Sequence, residues 1–149
     1  MNIIEPIGRD LVGTARQGST HPPVEMALSV KDDLLVLARV GASTVASRVG
    51  FDIEEIDDLR LAVDELCLHV LQGRRSGRLL LAIAGEDGRI DMWCNYDGPD
   101  EPVDQSIDDE VLAGLSGRIL DALVDDHGPF ERDGLPGARL CKRHGRIDG

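Results

Sequence analysis

The chain has 149 residues, enough for one domain that buries about two thirds of the surface exposed by its unfolded chain. It carries 28 Asp and Glu against 16 Lys and Arg, and the resulting net charge of −12 disfavours direct binding to a nucleic-acid phosphate backbone. No apolar run approaches the roughly 20 residues of a membrane span, and the first residues lack the pattern of a secretory signal. We therefore expect a cytoplasmic protein without membrane contact.

The three cysteines lie far apart in apolar surroundings and show no Cys-x-x-Cys spacing. They are Cys67, Cys94 and Cys141. This pattern predicts buried structural thiols in a reducing compartment, rather than disulfides or a zinc site.

Acidic residues are concentrated in residues 52–65 and 97–110, whereas the C-terminal end is basic. Solubility alone explains such a distribution, and a docking face for a basic protein partner is the alternative. The second interpretation predicts an exposed acidic helix face, formed by Asp52, Glu54, Glu55, Asp57 and Asp58.

The N-terminal part differs in pattern from the rest of the chain. Residues 1–23 are rich in Gly and Pro without periodicity, so we expect a flexible arm, followed by one domain over residues 24–145 and a short tail over 146–149. Residues 24–30 alternate as a strand, and Asp32 and Asp33 then offer an N-cap to a helix that runs to about Val49. The predicted inner side of this helix holds Leu34, Leu37, Val40 and Val45.

A second helix is predicted to begin near Ile53 and to end by Gly73. Its apolar stripe consists of Ile56, Leu59, Val63, Leu66 and Val70. Glu65 and His69 are four residues apart and share a face, roughly in line with Asp58 and Gln72. This polar stripe is the first candidate for a functional site.

The second half of the chain predicts two hairpins around a third helix. Strands at residues 78–84 and 89–95 flank a turn, an acidic loop spans 97–107, and a closing hairpin pairs 130–132 with 138–143. The third helix is marked by Val111, Leu112, Leu115, Ile119, Leu120 and Leu123. The economical packing of these elements is a two-layer α/β (α+β) sandwich, with three helices on one face of a mixed five-stranded sheet.

This order of elements, together with the run Leu59–Cys67, resembles the bacterial anti-sigma factors and serine-protein kinases of the RsbW type. These proteins belong to the GHKL (histidine-kinase-like) ATPase superfamily, and the resemblance covers residues 26–143. Residues 56–71 match the first nucleotide-binding motif of the family, and residues 114–126 match its glycine-rich stretch and the following helix. The resemblance implies a GHKL or Bergerat-type fold.

In the family, the helix motif is a Glu with an Asn four residues further on. The Glu is the base near the γ-phosphate, and the Asn ligates Mg²⁺. Here Glu65 takes the first place, as the candidate catalytic residue, and His69 takes the metal-ligand place. Because Mg²⁺ prefers hard oxygen ligands, the imidazole departs from the chemistry of the family. A solvated or helix-capping carboxylate and a surface or hydrogen-bonded histidine are the alternative interpretations.

The next family motif is an Asp followed by glycines at alternate positions, where the Asp recognises the adenine amino group. Asp97, or Asn95 in a shifted register, stands for this contact, with Gly98 beside it. The paired glycines of the motif are missing, and Asp-Gly-Pro is also typical of an ordinary turn.

The glycine-rich stretch of the family opens a helix whose N-terminal amides hold the phosphates. Gly114 and Gly117 fit this stretch, and Ser116 takes the place of a glycine. The two glycines have an alternative interpretation, in which they only relax the start of a helix.

The resemblance implies an anti-sigma factor that holds a sigma factor away from RNA polymerase until an STAS-type anti-anti-sigma antagonist displaces it. Members are commonly homodimers. Three features depart from the family motifs: His69, the missing glycines after Asp97, and Ser116. Because all three lie at the nucleotide, we favour a protein-binding regulator whose binding of ATP and Mg²⁺ is weak or absent. The alternative is an active ATP- and Mg²⁺-dependent kinase that phosphorylates a serine of the antagonist. A domain of a larger histidine-kinase-like protein is disfavoured, since no dimerisation helix precedes it.

Overall fold

A computed structural model of the protein describes residues 23–99 and 109–145. The predicted arm before residue 23, most of the predicted acidic loop and the predicted tail lie outside these residues. In chain order the elements are β1 (Val24–Ser29), α1 (Val36–Arg48), α2 (Ile53–Leu71), β2 (Arg78–Glu86), β3 (Arg89–Asp97), α3 (Asp109–Leu123), β4 (Asp126–Pro129) and β5 (Gly137–Arg143). The predicted order of helices and strands is confirmed.

The five strands form one sheet in the order β1-β2-β3-β5-β4. Every neighbouring pair is antiparallel, so the prediction of a mixed sheet is wrong on this point. The connections explain the difference. Two helices separate β1 from β2, so the chain runs along the helix layer once in each direction. β2 therefore enters the sheet antiparallel to β1. The single helix between β3 and β4 gives two parallel strands, but β5 lies between them.

The three helices share one core with one face of the sheet, which confirms the predicted two-layer architecture. Helix α1 packs on β2 and β3, α2 packs on β3 and β5, and α3 packs against α2. The stripe predicted for α2 is buried at Leu59, Val63, Leu66 and Val70. Alternate strand residues complete this core, among them Leu79, Leu81, Ile83, Ile90, Met92, Cys94 and Leu140.

Helix α1 meets the sheet through small side chains instead of the predicted large ones. Ala38, Ala42 and Ala46 are fully buried. Leu37 and Val40 are 43% and 54% exposed, so their predicted inward orientation is wrong. The alanine face brings the helix close to the strands. At Gly41, an added Cβ would lie 2.6 Å from the Cε atom of Met26.

The start of α1 also differs from expectation. A short 3-10 turn spans Asp32–Leu34, and the N-cap position of the helix is Leu35, which makes no side-chain hydrogen bond. The predicted cap by the two aspartates is therefore wrong, because the 3-10 turn takes up their positions and the α-helix begins later.

The central hairpin is longer than predicted. β2 and β3 each extend two residues further and are joined by Asp87 and Gly88, which have φ values of 49° and 75°. Two successive residues with positive φ are typical of a type I′ turn, which matches the twist of the strands.

The closing hairpin pairs β5 with residues 126–129, and Phe130 adds one hydrogen bond from its N–H to the Gly137 carbonyl at 3.0 Å. Asp133 and Gly134, with φ values of 53° and 81°, form a small turn closed by an isolated bridge between Arg132 and Leu135. This turn takes residues 130–132 out of the regular ladder, so the predicted strand is misplaced.

The sheet face away from the helices carries a second cluster, made by Leu80, Ala82, Ala84 and Trp93. Phe130 and Leu135, from the connection between β4 and β5, pack against it. Within residues 23–99 and 109–145, no helix is both long enough and apolar enough to cross a membrane. All three cysteines are free and buried, as predicted.

Candidate functional site

Helix α2 carries the candidate site, and a capping box fixes where it begins. The Asp52 carboxylate accepts a hydrogen bond from the Glu55 backbone N–H at 2.8 Å, and the Glu55 carboxylate accepts one from the Asp52 N–H at 2.9 Å. This reciprocal pair satisfies two N–H groups that the first turn leaves without helical partners. The D-x-x-E spacing is visible in the sequence, but our sequence interpretation missed it.

Glu65 lies halfway along α2, half-buried beside the apolar stripe. Its Oε1 atom accepts a hydrogen bond from Ser116 Oγ of α3 at 2.9 Å. The structure thus brings together the candidate base and the serine of the predicted phosphate-holding stretch. They are joined to each other by a direct hydrogen bond.

His69 lies one turn after Glu65 on α2 and is also half-buried. In the part of the chain that the structure describes, no three His, Cys, Asp or Glu side chains come together as a metal site. The two predicted donors at this position, the Glu65 carboxylate and the His69 imidazole, are a pair that suits transition metals better than Mg²⁺.

Gly114 and Gly117 lie within α3, which begins at Asp109. Only the first four N–H groups of a helix lack helical partners, so the amides from Gly114 onward are engaged in the hydrogen bonds of the helix. In this arrangement they are not available to hold phosphates, although the family resemblance assigns that role to this stretch.

Asp97 faces away from the helix layer. In the ladder, Leu79 lies opposite Tyr96 and Arg78 opposite Asp97. Leu79 and Tyr96 both belong to the helix-side core, and because side chains alternate along a strand, Asp97 projects from the other face. There it forms an ion pair with Arg78. The structure does not bring Asp97 to the side of the sheet that carries Glu65.

Tyr96 is the residue at the end of β3 that does face the helices, and it is only 3% exposed. Its hydroxyl donates a hydrogen bond to the Ser76 carbonyl at 2.8 Å, and the Arg74 guanidinium lies 4.4 Å from the ring centroid. Sequence reasoning missed Tyr96. The available signal was its position two residues before Gly98, which is the spacing between the Asp and the first glycine of the family motif.

The expected acidic face is exposed at four of its five residues, and Glu55 alone is half-buried. Asp52 and Glu55 are occupied by the capping box, and Asp57 lies 4.0 Å from Arg60. Glu54 and Asp58 are exposed on the same helix and make no such contact in the structure as described.

These features define a two-layer α/β domain in which one polar helix face contacts the third helix. No protein-family model matches the chain. It is similar to proteins named serine-protein kinase RsbW. It is 25% identical to that of Listeria monocytogenes over 131 residues, 77% of this chain and 83% of the relative. It is 27% identical to that of Bacillus subtilis over 119 residues, 69% and 74% of the two chains.

A shorter match reaches 37% identity over 67 residues with the RsbW kinase of Bacillus pumilus. It covers 45% of this chain and 38% of that protein. The matches with higher coverage are at low identity, and together the comparisons support an RsbW-like protein.

Proposed function

We propose that the protein is an anti-sigma factor of the partner-switching type. It sequesters a sigma factor, and an STAS-type anti-anti-sigma antagonist competes for it and releases the sigma factor. The similarity to RsbW kinases over 131 residues supports this class. The observation that carries the proposal is the exposed apolar surface of the helix layer.

Among the described residues, the large hydrophobic side chains that are exposed all lie on helices. They are Val36, Leu37, Val40, Ile53, Leu61, Leu68 and Leu115. Scattered exposed apolar residues are normal, but a concentration on one layer is typical of a protein-binding surface. We propose that the partner binds on the helix layer, where α1 and α2 carry most of these side chains.

A groove of about 270 Å³ lies between α1 and α2 within this surface. The Arg39 Nε atom lies 3.1 Å from an Asp64 carboxylate oxygen across it, and Leu61 forms part of its wall. Glu54 and Asp58 add negative charge on the same helix as Leu61. The groove lining holds two arginines and two aspartates, so its own charges balance. The acidic residues elsewhere on α2 are what favour a basic, partly apolar segment of a sigma factor.

Weakened nucleotide chemistry is part of the proposal. The relatives are named as kinases, which implies that such proteins use ATP and Mg²⁺. In this chain, however, Ser116 is hydrogen-bonded to the candidate base Glu65, and Gly114 and Gly117 are inside a helix. The role of Asp97 in adenine recognition stays a prediction, with its carboxylate paired to Arg78. Homodimer formation is likewise proposed from the resemblance.

The test is co-purification of the full chain with each candidate sigma factor of its own genome. Val40→Arg with Leu61→Arg is expected to lower sigma-factor affinity at least about tenfold, since truncating or charging an interface centre costs over about 1.4 kcal/mol. Glu131→Lys, at an exposed position of the β4–β5 connection, is the matched control and should bind as the parent does. Recovery of no sigma factor, or equal binding by all variants, would reject the proposal.

Release separates the regulator from the kinase alternative. The antagonist should displace the sigma factor by competition in the absence of ATP. Transfer of phosphate from ATP to a serine of the antagonist, lost in Glu65→Ala, would instead establish the kinase.

A further inference from the structure

We infer that Tyr96 fills the adenine position of this domain from within, so that the chain does not accept ATP there. The inference deepens the proposed function and rests on it for the likeness to nucleotide-binding relatives. The family implies ATP as a cofactor, but the residues that this chain presents do not fit its adenine.

The position of Tyr96 follows from the strand register. It lies at the end of β3, on the helix side of the sheet, two residues before Gly98. In the family motif the Asp precedes the first glycine by two residues, so the residue that aligns with the adenine-binding Asp and faces the site is Tyr96. A phenol ring there replaces a short carboxylate with a large group that takes up the space itself.

Contacts on several sides hold the ring in place. The hydroxyl donates to the Ser76 carbonyl oxygen at 2.8 Å and lies 3.3 Å from the Pro99 carbonyl oxygen. The guanidinium of Arg74 stacks on the ring, and its Nη1 atom lies 3.4 Å from the Val70 carbonyl at the end of α2. A cation over an aromatic face is stabilising, more so when both are removed from water.

Two glycines accommodate this ring rather than a nucleotide. A Cβ at Gly98 would lie 2.5 Å from the Tyr96 hydroxyl and 2.8 Å from the Gly77 Cα atom. A Cβ at Gly77 would lie 2.7 Å from the same hydroxyl, and Gly77 also has a φ of 95°. Gly98, which the resemblance places in a nucleotide-binding motif, instead leaves room for Tyr96.

The phosphate end is occupied by the chain as well. Ser116 donates to Glu65, and the amides of Gly114 and Gly117 are committed to α3. Among the described residues, those that the family would turn toward ATP at both ends of the site are engaged in intramolecular contacts, so in this arrangement they do not fit ATP. The binding of partners would then be controlled by competition between proteins, without a nucleotide-dependent step.

The sequence offers a direct probe because Tyr96 is the single tyrosine of the chain. In protein labelled at tyrosine, Mg²⁺-ATP at millimolar concentrations is expected to leave the one ring signal unmoved, and calorimetry should detect no binding. A shifted ring signal with micromolar ATP affinity would overturn the inference, and this measurement needs no variant.

Tyr96→Ala tests the same point by opening the position. We expect the variant to bind adenosine at least about tenfold more tightly than the parent, because the ring no longer competes for the space and Arg74 can stack on the base. Tyr96→Phe retains the ring and should behave as the parent. A folded Tyr96→Ala protein with no gain in adenosine binding would overturn the inference. Sigma-factor binding is measured separately, so the proposed function can fail while this inference holds, or the reverse.

Discussion

His144, just beyond β5, and Glu55, in the first turn of α2, are in direct contact, with Nδ1 of the histidine 2.7 Å from Oε1 of the carboxylate. The same carboxylate accepts hydrogen bonds from the backbone N–H groups of Asp52 and Gly145, at 2.9 and 2.6 Å. Glu55 therefore links the start of the site-bearing helix to the end of the last strand.

This contact predicts a loss of stability in acid. Burial raises the pKa of Glu55, but the hydrogen bonds from Asp52, Gly145 and His144 outweigh it and lower the pKa from 4.5 to about 2. A lowered carboxyl pKa stabilises the fold above the unfolded-state value, and this contribution disappears as the pH falls through the folded-state value. The difference in urea midpoint between the parent and Glu55→Gln should therefore shrink between pH 4.5 and pH 2.

Glu54→Gln provides the control, since Glu54 is exposed on the same helical turn. Its difference from the parent should vary much less over that range. If the contacts of Glu55 did not depend on its charge, the difference between the parent and Glu55→Gln would also stay constant over this pH range. That result would contradict the prediction.

The Ser116–Glu65 hydrogen bond predicts an energetic coupling between α2 and α3. In a double-mutant cycle of Ser116→Ala and Glu65→Ala, we expect a coupling of about 1 kcal/mol in the free energy of unfolding, the usual net value of such a bond. Replacing Glu65→Ala by Glu54→Ala should reduce the coupling to nearly zero. Additive effects in the first cycle would show that the bond does not form in solution.

Replacing glycine by alanine should stabilise the protein at two positions, Gly114 and Gly117, and destabilise it at a third, Gly137. An added Cβ at Gly114 or Gly117 meets no atom within 4 Å, and both residues lie inside α3. Alanine there should stabilise the protein by up to about 1 kcal/mol, the difference in helix propensity. A Cβ at Gly137 would overlap the Cys94 carbonyl oxygen, so Gly137→Ala should destabilise by about 2 kcal/mol or more. Thermal or urea unfolding of the three variants checks both signs, and a uniform effect would contradict the prediction.

The buried cysteines predict thiols that react only after unfolding. Cys67, Cys94 and Cys141 are 2%, 0% and 4% exposed. The hydrogen bond with Cys67 and burial raise the pKa of Cys94, and burial raises that of Cys141, so little thiolate forms at neutral pH. An aromatic disulfide reagent should label no thiol in native buffer and three in denaturant. Rapid labelling of the native chain would reject this packing.

The parts of the fold that follow a strong period were predictable from the sequence. The stripe of α2, with Leu59 and Val63, repeats every three to four residues and fixes which side is buried. The period of large apolar residues gave the wrong inner face for α1, because that face is made mainly of alanines, including Ala38 and Ala42. The pattern of large apolar residues points to Leu37 and Val40, but close approach to the sheet requires the smaller side chains.

The candidate site shows a second limit of sequence reasoning. Residues four apart on a helix share a face by geometry, so Glu65 and His69 were placed together without any tertiary information. The faces of Tyr96 and Asp97 depend on the register of β3 against β2, and a shift by one residue exchanges them. Pairing between strands is a long-range property, which local composition does not determine.

The short turn at Asp87 and Gly88 has a consequence for how the chain folds. It joins β2 to β3, two neighbouring strands inside the sheet, with two residues. Closing so short a loop costs little chain entropy, so this hairpin can form early, whereas β1 must wait for both helices between it and β2. We therefore expect the β2–β3 hairpin to form before β1 joins the sheet, with pairing that begins at the turn and reaches the end that holds Leu79 and Tyr96 last.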